Sequence, residues 1–238
     1  MVAQAMQAVA CVCECQPARQ RLLNRSVPKI NTGSIGSISQ VVGSITRVGR
    51  QKQFDDTTVV RAARDLFWQR GYASTSLADL EAVTGLNRSS LYLSYGSKRG
   101  LFDRALRNYL DELIWPLLAP MEATGAGREE IVGYFLAQAA NLQSSPHSLL
   151  ARGCLIANTS TELNILDAEA AQVVLEYRNR VRAAIFHALG GMSESVHDRE
   201  AKADILAATQ IGVMITARVD PIAAAKLAET IATDVKTW

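Results

Sequence analysis

From Gln53 onward the apolar positions recur at three- and four-residue steps, and this period organises most of the chain into helices. Val59, Val60, Ala63, Leu66 and Phe67 share one face of a first helix over about 55–70, with Asp55 and Asp56 favourable at its N-terminus and Gly71 as its stop. A helix of barely two turns follows from Leu77 to Val83. Ser76 opens it, with Asp79 at capping-box spacing, and Gly85 permits the left-handed turn that ends it. Asn87 caps a third short helix that carries Leu91 inward. Gly96 and Ser97 break that helix, and a longer one is expected from Lys98 to about Trp115, where Pro116 interferes. Further helices are expected at roughly 127–144, 148–155, 167–189, 197–218 and 221–237, separated by Gly125 and Gly127, Ser144 to Pro146, Gly190-Gly191 and Asp220-Pro221. No alternating β pattern or internal repeat is evident, so the expected class is all-α.

Residues 1–47 break this period. They hold one acidic residue and a Gly/Ser-rich middle, NTGSIGSISQVVGSITR, and are expected to be mostly disordered. The rest has ample apolar material for a core, since the whole chain of 238 residues is 48% hydrophobic. No run of 18 apolar residues exists, and the opening lacks a basic region followed by a long apolar stretch, so neither a membrane span nor a secretory signal is expected and the cytoplasm is the default location. Cys11, Cys13 and Cys15 crowd the tail while Cys154 stands alone. A C-x-C-x-C trio without a nearby histidine fits zinc spacing poorly, so no metal or other cofactor is expected.

Charge is distributed unevenly. From Val48 to Leu110 there are ten Lys/Arg against six Asp/Glu, a balance of +4, whereas from Asp111 to Trp238 ten stand against sixteen, a balance of −6. The basic excess coincides with the short helices, as a polyanion-binding module requires, although a solvated face gives the same count. Two short helices joined at a glycine and stacked on a preceding helix form a helix-turn-helix, whose second helix enters the DNA major groove by its N-terminal residues. Arg88 can reach guanine O6 and N7, Ser89 and Ser90 are short enough to permit close approach, and Asn87 or the first-turn N–H groups can hold a phosphate. Tyr92 and Lys98 lie where the groove wall would be and can donate to phosphate oxygens. Tyr95, four residues after inward-facing Leu91, is expected to pack.

The segment AARDLFWQRGYASTSLADLEAVTGLNRSSLYLSYGSKRGLFDRAL resembles the DNA-binding domain of the TetR family of bacterial transcriptional regulators. Phe67, Gly71-Tyr72, Thr75-Ser76, Leu80, Thr84-Gly85-Leu86, Leu91-Tyr92, Tyr95, Lys98 and Leu101-Phe102 carry the resemblance. It implies a homodimer whose C-terminal helices form both the dimer interface and a pocket for a small-molecule effector, and it implies DNA contacts from Thr75, Ser76, Asn87, Arg88, Ser89, Ser90, Tyr92 and Lys98. Glu81 departs from the motif, which often has alanine there; a charge at this position must point outward or hold the short helices apart. The implied organisation is a tail at 1–47, a DNA-binding domain at 48–106 and a ligand-binding and dimerisation domain at 107–238. VGRQKQFD, from Val48, resembles the usual beginning of such regulators, which leaves the tail as either a gene-start artefact or a basic arm on DNA.

The second half offers fewer signals. RGCLIANTSTEL resembles a segment in a branch of the family in which some members respond to electrophiles or quinones, which gives Cys154 a sensing role to set against that of a buried small hydrophobe. Trp115, Tyr134 and Phe135 join it as candidate ligand contacts, and His147 is expected in a loop. Val173, Val174, Tyr177, Val181 and Ile185, then Ile205, Ala208, Ile211, Gly212 and Ile215, suit a dimeric four-helix bundle or, in a monomer, plain core. Three histidines outside any hydrolase or metal motif argue against an enzyme. The expected function is a ligand-released repressor of a palindromic operator.

Overall fold

The computed structural model describes residues 54–144, 149–191 and 195–238, which form helices and connecting turns without a strand. The cysteine trio, the tail and His147 lie outside these residues. Helix α1 (Asp56–Arg70) starts at Asp55, whose carboxylate accepts the N–H groups of Thr57 and Thr58. Its buried face is Val59, Val60, Ala63, Arg64, Leu66, Phe67 and Trp68. Helix α2 (Leu77–Thr84) carries the expected capping box, with Ser76 and Asp79 satisfying each other's backbone N–H. Gly85 then adopts φ 69°, the left-handed turn that aims helix α3 (Arg88–Tyr95) across α2. Leu80, Leu91, Leu101 and Phe102 close a small core over α1, with the Phe67 and Phe102 rings edge-to-face at 4.9 Å.

Helix α4 (Lys98–Tyr109) runs from this head into the body, and Pro116 does not stop it as the sequence predicts. The chain passes through one π-helical turn (Leu110–Ile114) and continues as helix α5 (Trp115–Glu122). Trp115 N–H bonds to Leu110 O, five residues back, so the ladder has already shifted where the N–H that Pro116 lacks would fall.

Helices α6 (Arg128–Ser144), α8 (Ala168–Leu189), α9 (Val196–Ala217) and α10 (Pro221–Thr237) form the body. Asp167, Ser195 and Asp220 cap the last three. Their boundaries follow the predicted ones closely, but the segment expected at 148–155 is divided. A 3-10 turn (Leu149–Arg152) ends at Gly153, and a six-residue helix α7 (Leu155–Ser160) follows. Gly153 has φ 78°, and a Cβ there would stand 2.6 Å from Met214 O. That close approach lets its carbonyl accept the buried Trp68 indole N–H at 2.9 Å.

Head and body are joined by polar contacts around this seam. Fully buried Arg64 donates to Asn108 and Glu112, and Arg61 donates to Glu112 as well, so α1 is tied to the π-helical turn. Arg99 pairs with Asp167 at 2.7 Å, and Arg107 with Glu176 at 2.8 Å. Glu162, in the turn after α7, accepts the N–H groups of Tyr72 and Ala73 at 2.8 and 3.1 Å.

Candidate nucleic-acid interface and ligand chamber

The exposed surface of α3 holds Arg88, Ser89, Tyr92 and Leu93, with Ser90 half-buried beside them. The Arg88 guanidinium lies 5.8 Å from the Tyr92 ring, which keeps both on the outer face. Leu93 is 90% exposed, four residues after Ser89 and hence on the same face. Sequence reasoning missed it, although an apolar residue two places after inward-facing Leu91 falls outside the buried stripe. A methyl-rich side chain there suits a thymine methyl in the major groove.

Two of the expected contact residues, Thr75 and Asn87, have side-chain oxygens engaged within the protein. Thr75 is 1% exposed and its hydroxyl donates to Gly71 O at 2.7 Å, so its side chain closes the α1–α2 turn instead of facing a phosphate. The first turn of α3 is also satisfied from within: Asn87 accepts the Ser90 N–H at 2.9 Å, and Glu81 accepts the Arg88 N–H. The Glu81 carboxylate therefore points at the start of α3 and occupies the end of the helix dipole where a phosphate was expected. Ser76 stays exposed at the capping box, and its hydroxyl donates to Asp79 at 2.6 Å. Hydrogen bonds from Ser76 and the charge of Arg70 hold the Asp79 carboxyl below its usual range.

Lys98 begins α4 half-buried, with its ammonium 4.2 Å from the Tyr72 ring centre. Burial lowers its pKa, and the charge of Glu162 partly opposes that shift. Tyr95 packs as expected, and its phenol donates to Asp56 at 2.8 Å.

Beneath the junction of α4 and α5 lies a chamber of about 40 Å³ walled by Trp68, Tyr109, Leu113, Ile114, Tyr134 and Gln138, among others. Trp68 belongs to the head's first helix. Of the four residues proposed from sequence as ligand contacts, Tyr134 lines this chamber. Trp115 instead packs under the Arg180 guanidinium at 4.3 Å, and Phe135 is fully buried core. Cys154 is 1% exposed and sits against Tyr109 and Tyr177, phenols whose pKa values rise chiefly through burial and further through the charge a thiolate there would carry. That burial is the surrounding of a small core hydrophobe. Gln138 and Trp68 were missed. Gln138 stands four residues after Tyr134, a polar residue on the inward face of α6, and that spacing could have identified it.

Among the described residues no group of three or more His, Cys, Asp or Glu is placed to hold a metal, and no helix is long and apolar enough to cross a membrane. A three-helix head with a solvent-facing third helix, joined to a helical body with an internal chamber, defines a helix-turn-helix DNA-binding protein. The model for "Bacterial regulatory proteins, tetR family" matches residues 59–105. The chain is 34% identical over 142 residues to the uncharacterized HTH-type transcriptional regulator YezE of Bacillus subtilis (strain 168), covering 60% of this chain and 72% of that one. It is 34% identical over 116 residues to the HTH-type transcriptional repressor ComR of Escherichia coli (strain K12), covering 49% and 54%. A solved structure of a cysteine mutant of the TetR family transcriptional regulator CifR, complexed with 26-base-pair operator DNA, aligns with TM-score 0.61 and 27% identity over 79% of this chain and all of that one. This chain belongs to the TetR family of bacterial transcriptional regulators. It is a DNA-binding regulator and not an enzyme.

Proposed function

We propose that this chain is a homodimeric repressor that binds a palindromic operator and is released from it by a small uncharged effector. The observation that carries the ligand response is the chamber wall: Trp68 of α1 and Tyr109 at the end of α4 meet there edge-to-face at 4.9 Å, together with residues of the body. A molecule entering the chamber pushes directly on α1 of the head and on α4, which joins head to body, and binding that favours one head position over another shifts DNA affinity by the same free energy. Repression rather than activation follows the relative ComR, which is named a repressor.

Dimerisation is supported by α9. Ile205, Ala208, Gly212 and Ile215 fall at three- and four-residue steps, with Ile205 and Ile215 61% and 55% exposed. Such a stripe on a surface helix, with open space over Gly212, is covered well by the same stripe of a second copy. On α8, Val173, Tyr177, Val181 and Ile185 are buried within one chain and Val174 is half-buried. In the head, Arg88, Ser89 and Leu93 face base edges, while Ser90, Tyr92 and Lys98 hold phosphates; Ser76 adds a contact at the start of α2.

The test is titration of palindromic DNA from upstream of the chain's own gene. Two heads should require half-sites about one helical turn, or a multiple of it, apart. Binding with equal affinity to a random fragment, or to an isolated half-site, overturns the reading.

A further inference from the structure

Leu93 is 90% exposed, and among the described residues no large apolar side chain is more so. It lies on the outer face of α3 in one of two parallel rows: Arg88 stands four residues before Tyr92, and Ser89 four before Leu93. The helix holds no acidic residue, and Leu91 is its buried side chain. Asn87 and the Glu81 carboxylate already accept N–H groups of its first turn, so recognition falls to the side chains of the outer face.

A leucine cannot donate to a phosphate oxygen. Set against the donors and acceptors of a base edge, it takes water from them and returns no hydrogen bond. One group on the major-groove edges of the four bases is apolar, the C5-methyl of thymine. A methylated cytosine carries the same group at the same ring position.

We propose that Leu93 reads a pyrimidine C5-methyl group, which makes operator binding depend on one thymine in each half-site and lets 5-methylcytosine take that thymine's part where cytosine does not. The proposal rests on the placing of α3 in the major groove and narrows it to one group of the DNA. Helical geometry sets where the thymine lies. From Arg88 to Leu93 the helix rises about 7.5 Å at ~1.5 Å per residue, which spans roughly two base steps of ~3.4 Å. Covering one methyl group should raise affinity about fourfold, and two half-sites together about fifteenfold.

The test uses the operator that the full chain selects from random-sequence duplexes, with affinities read by fluorescence anisotropy. Each thymine in turn is replaced in both half-sites by deoxyuridine, which keeps the pairing and removes only the methyl. One replacement should weaken binding about tenfold to twentyfold, at a position about two or three base pairs from the one whose preference Arg88→Ala relaxes. Cytosine paired with guanine at that position should bind more weakly than 5-methylcytosine by a similar factor. Leu93→Ala should lose about as much on the parent operator and no longer distinguish thymine from deoxyuridine. Its melting temperature and its affinity for random DNA should stay unchanged, because the side chain is exposed, alanine suits a helix and random DNA is held by its phosphates. A parent protein indifferent to every deoxyuridine replacement rejects the proposal. So does a methyl effect that persists in Leu93→Ala, or a sensitive thymine more than half a helical turn from the Arg88 position. If Leu93→Ala changes sedimentation and not DNA affinity, the side chain covers a protein surface and the assignment falls. Failure of the parent to select any operator is a separate result, which removes the operator-binding reading itself and the proposal with it.

Discussion

Glu162→Ala removes two acceptors from the turn that begins the DNA-reading unit. The Tyr72 N–H, 2.8 Å from the carboxylate and partly buried, loses a charge-assisted bond, and the exposed Ala73 N–H at 3.1 Å can recover one from water. A hydrogen bond to a charged group contributes about 1.5–3 kcal/mol when its donor stays dry, and much less when water replaces the partner. Glu162 is half-buried, so solvent screening reduces the first figure and the second bond adds a few tenths. The net loss should be about 1–2 kcal/mol, which for a body of this size lowers the melting temperature by roughly 3–6 °C. Urea unfolding gives the free energy, and amide exchange at Tyr72 and Ala73 locates it; exchange there should accelerate while that of α10 changes less. Glu162→Gln, which retains a carbonyl acceptor, should fall between parent and alanine variant. A loss below about 0.5 kcal/mol with unchanged Tyr72 exchange would refute the claim that this carboxylate clamps head to body, since surface substitutions commonly stay within that range.

Arg88→Ala should cost about 1–3 kcal/mol on specific DNA and relax preference at one base pair per half-site, whereas Lys98→Ala should weaken all sequences alike and reduce the salt slope by about one; fluorescence anisotropy across salt concentrations separates them. Glu81→Ala should free the Arg88 N–H and remove a negative charge from the start of α3, raising nonspecific DNA affinity at low salt more than at high salt; unchanged affinity at every salt concentration would count against this. Gly133→Ala should stabilise the fold by about 0.5–1 kcal/mol, because the new methyl meets no neighbour and the helix gains propensity; Gly212→Leu, equally unobstructed in one chain, should shift sedimentation toward monomer. Asp55, Asp79 and Asp167 have folded pKa values held below the usual range, by hydrogen bonds from Thr58, Ser76 and Arg99 respectively, so their contribution is present above about pH 4 and is lost as pH falls through the folded values. The urea midpoint should therefore decline in acid, and Asp79→Asn should differ less from the parent at pH 3 than at pH 7.

Helix boundaries, caps and the helix-turn-helix were legible along the chain because each depends on residues within about four positions of one another. Asp55, Ser76 and Asn87 satisfy N–H groups two or three residues away, and Gly85 turns its own backbone. Leu91 inward and Arg88 outward follow from a single helical period. Pro116 was misread for a local reason: the chain absorbed it by a π-helical turn, which residue type alone does not announce. The surroundings of Glu81, Cys154 and Gln138 depend instead on neighbours on other turns and helices. Glu81 was identified as a departure, but its place against Arg88 N–H required α2 and α3 to be packed. The Trp68 indole meets Gly153 across 85 positions, and Gln138 becomes part of a chamber wall only once the other helices enclose it. Periodicity identifies which side of a helix faces inward; what lies opposite that side is set by how the helices stack, and the chamber is a product of that stacking.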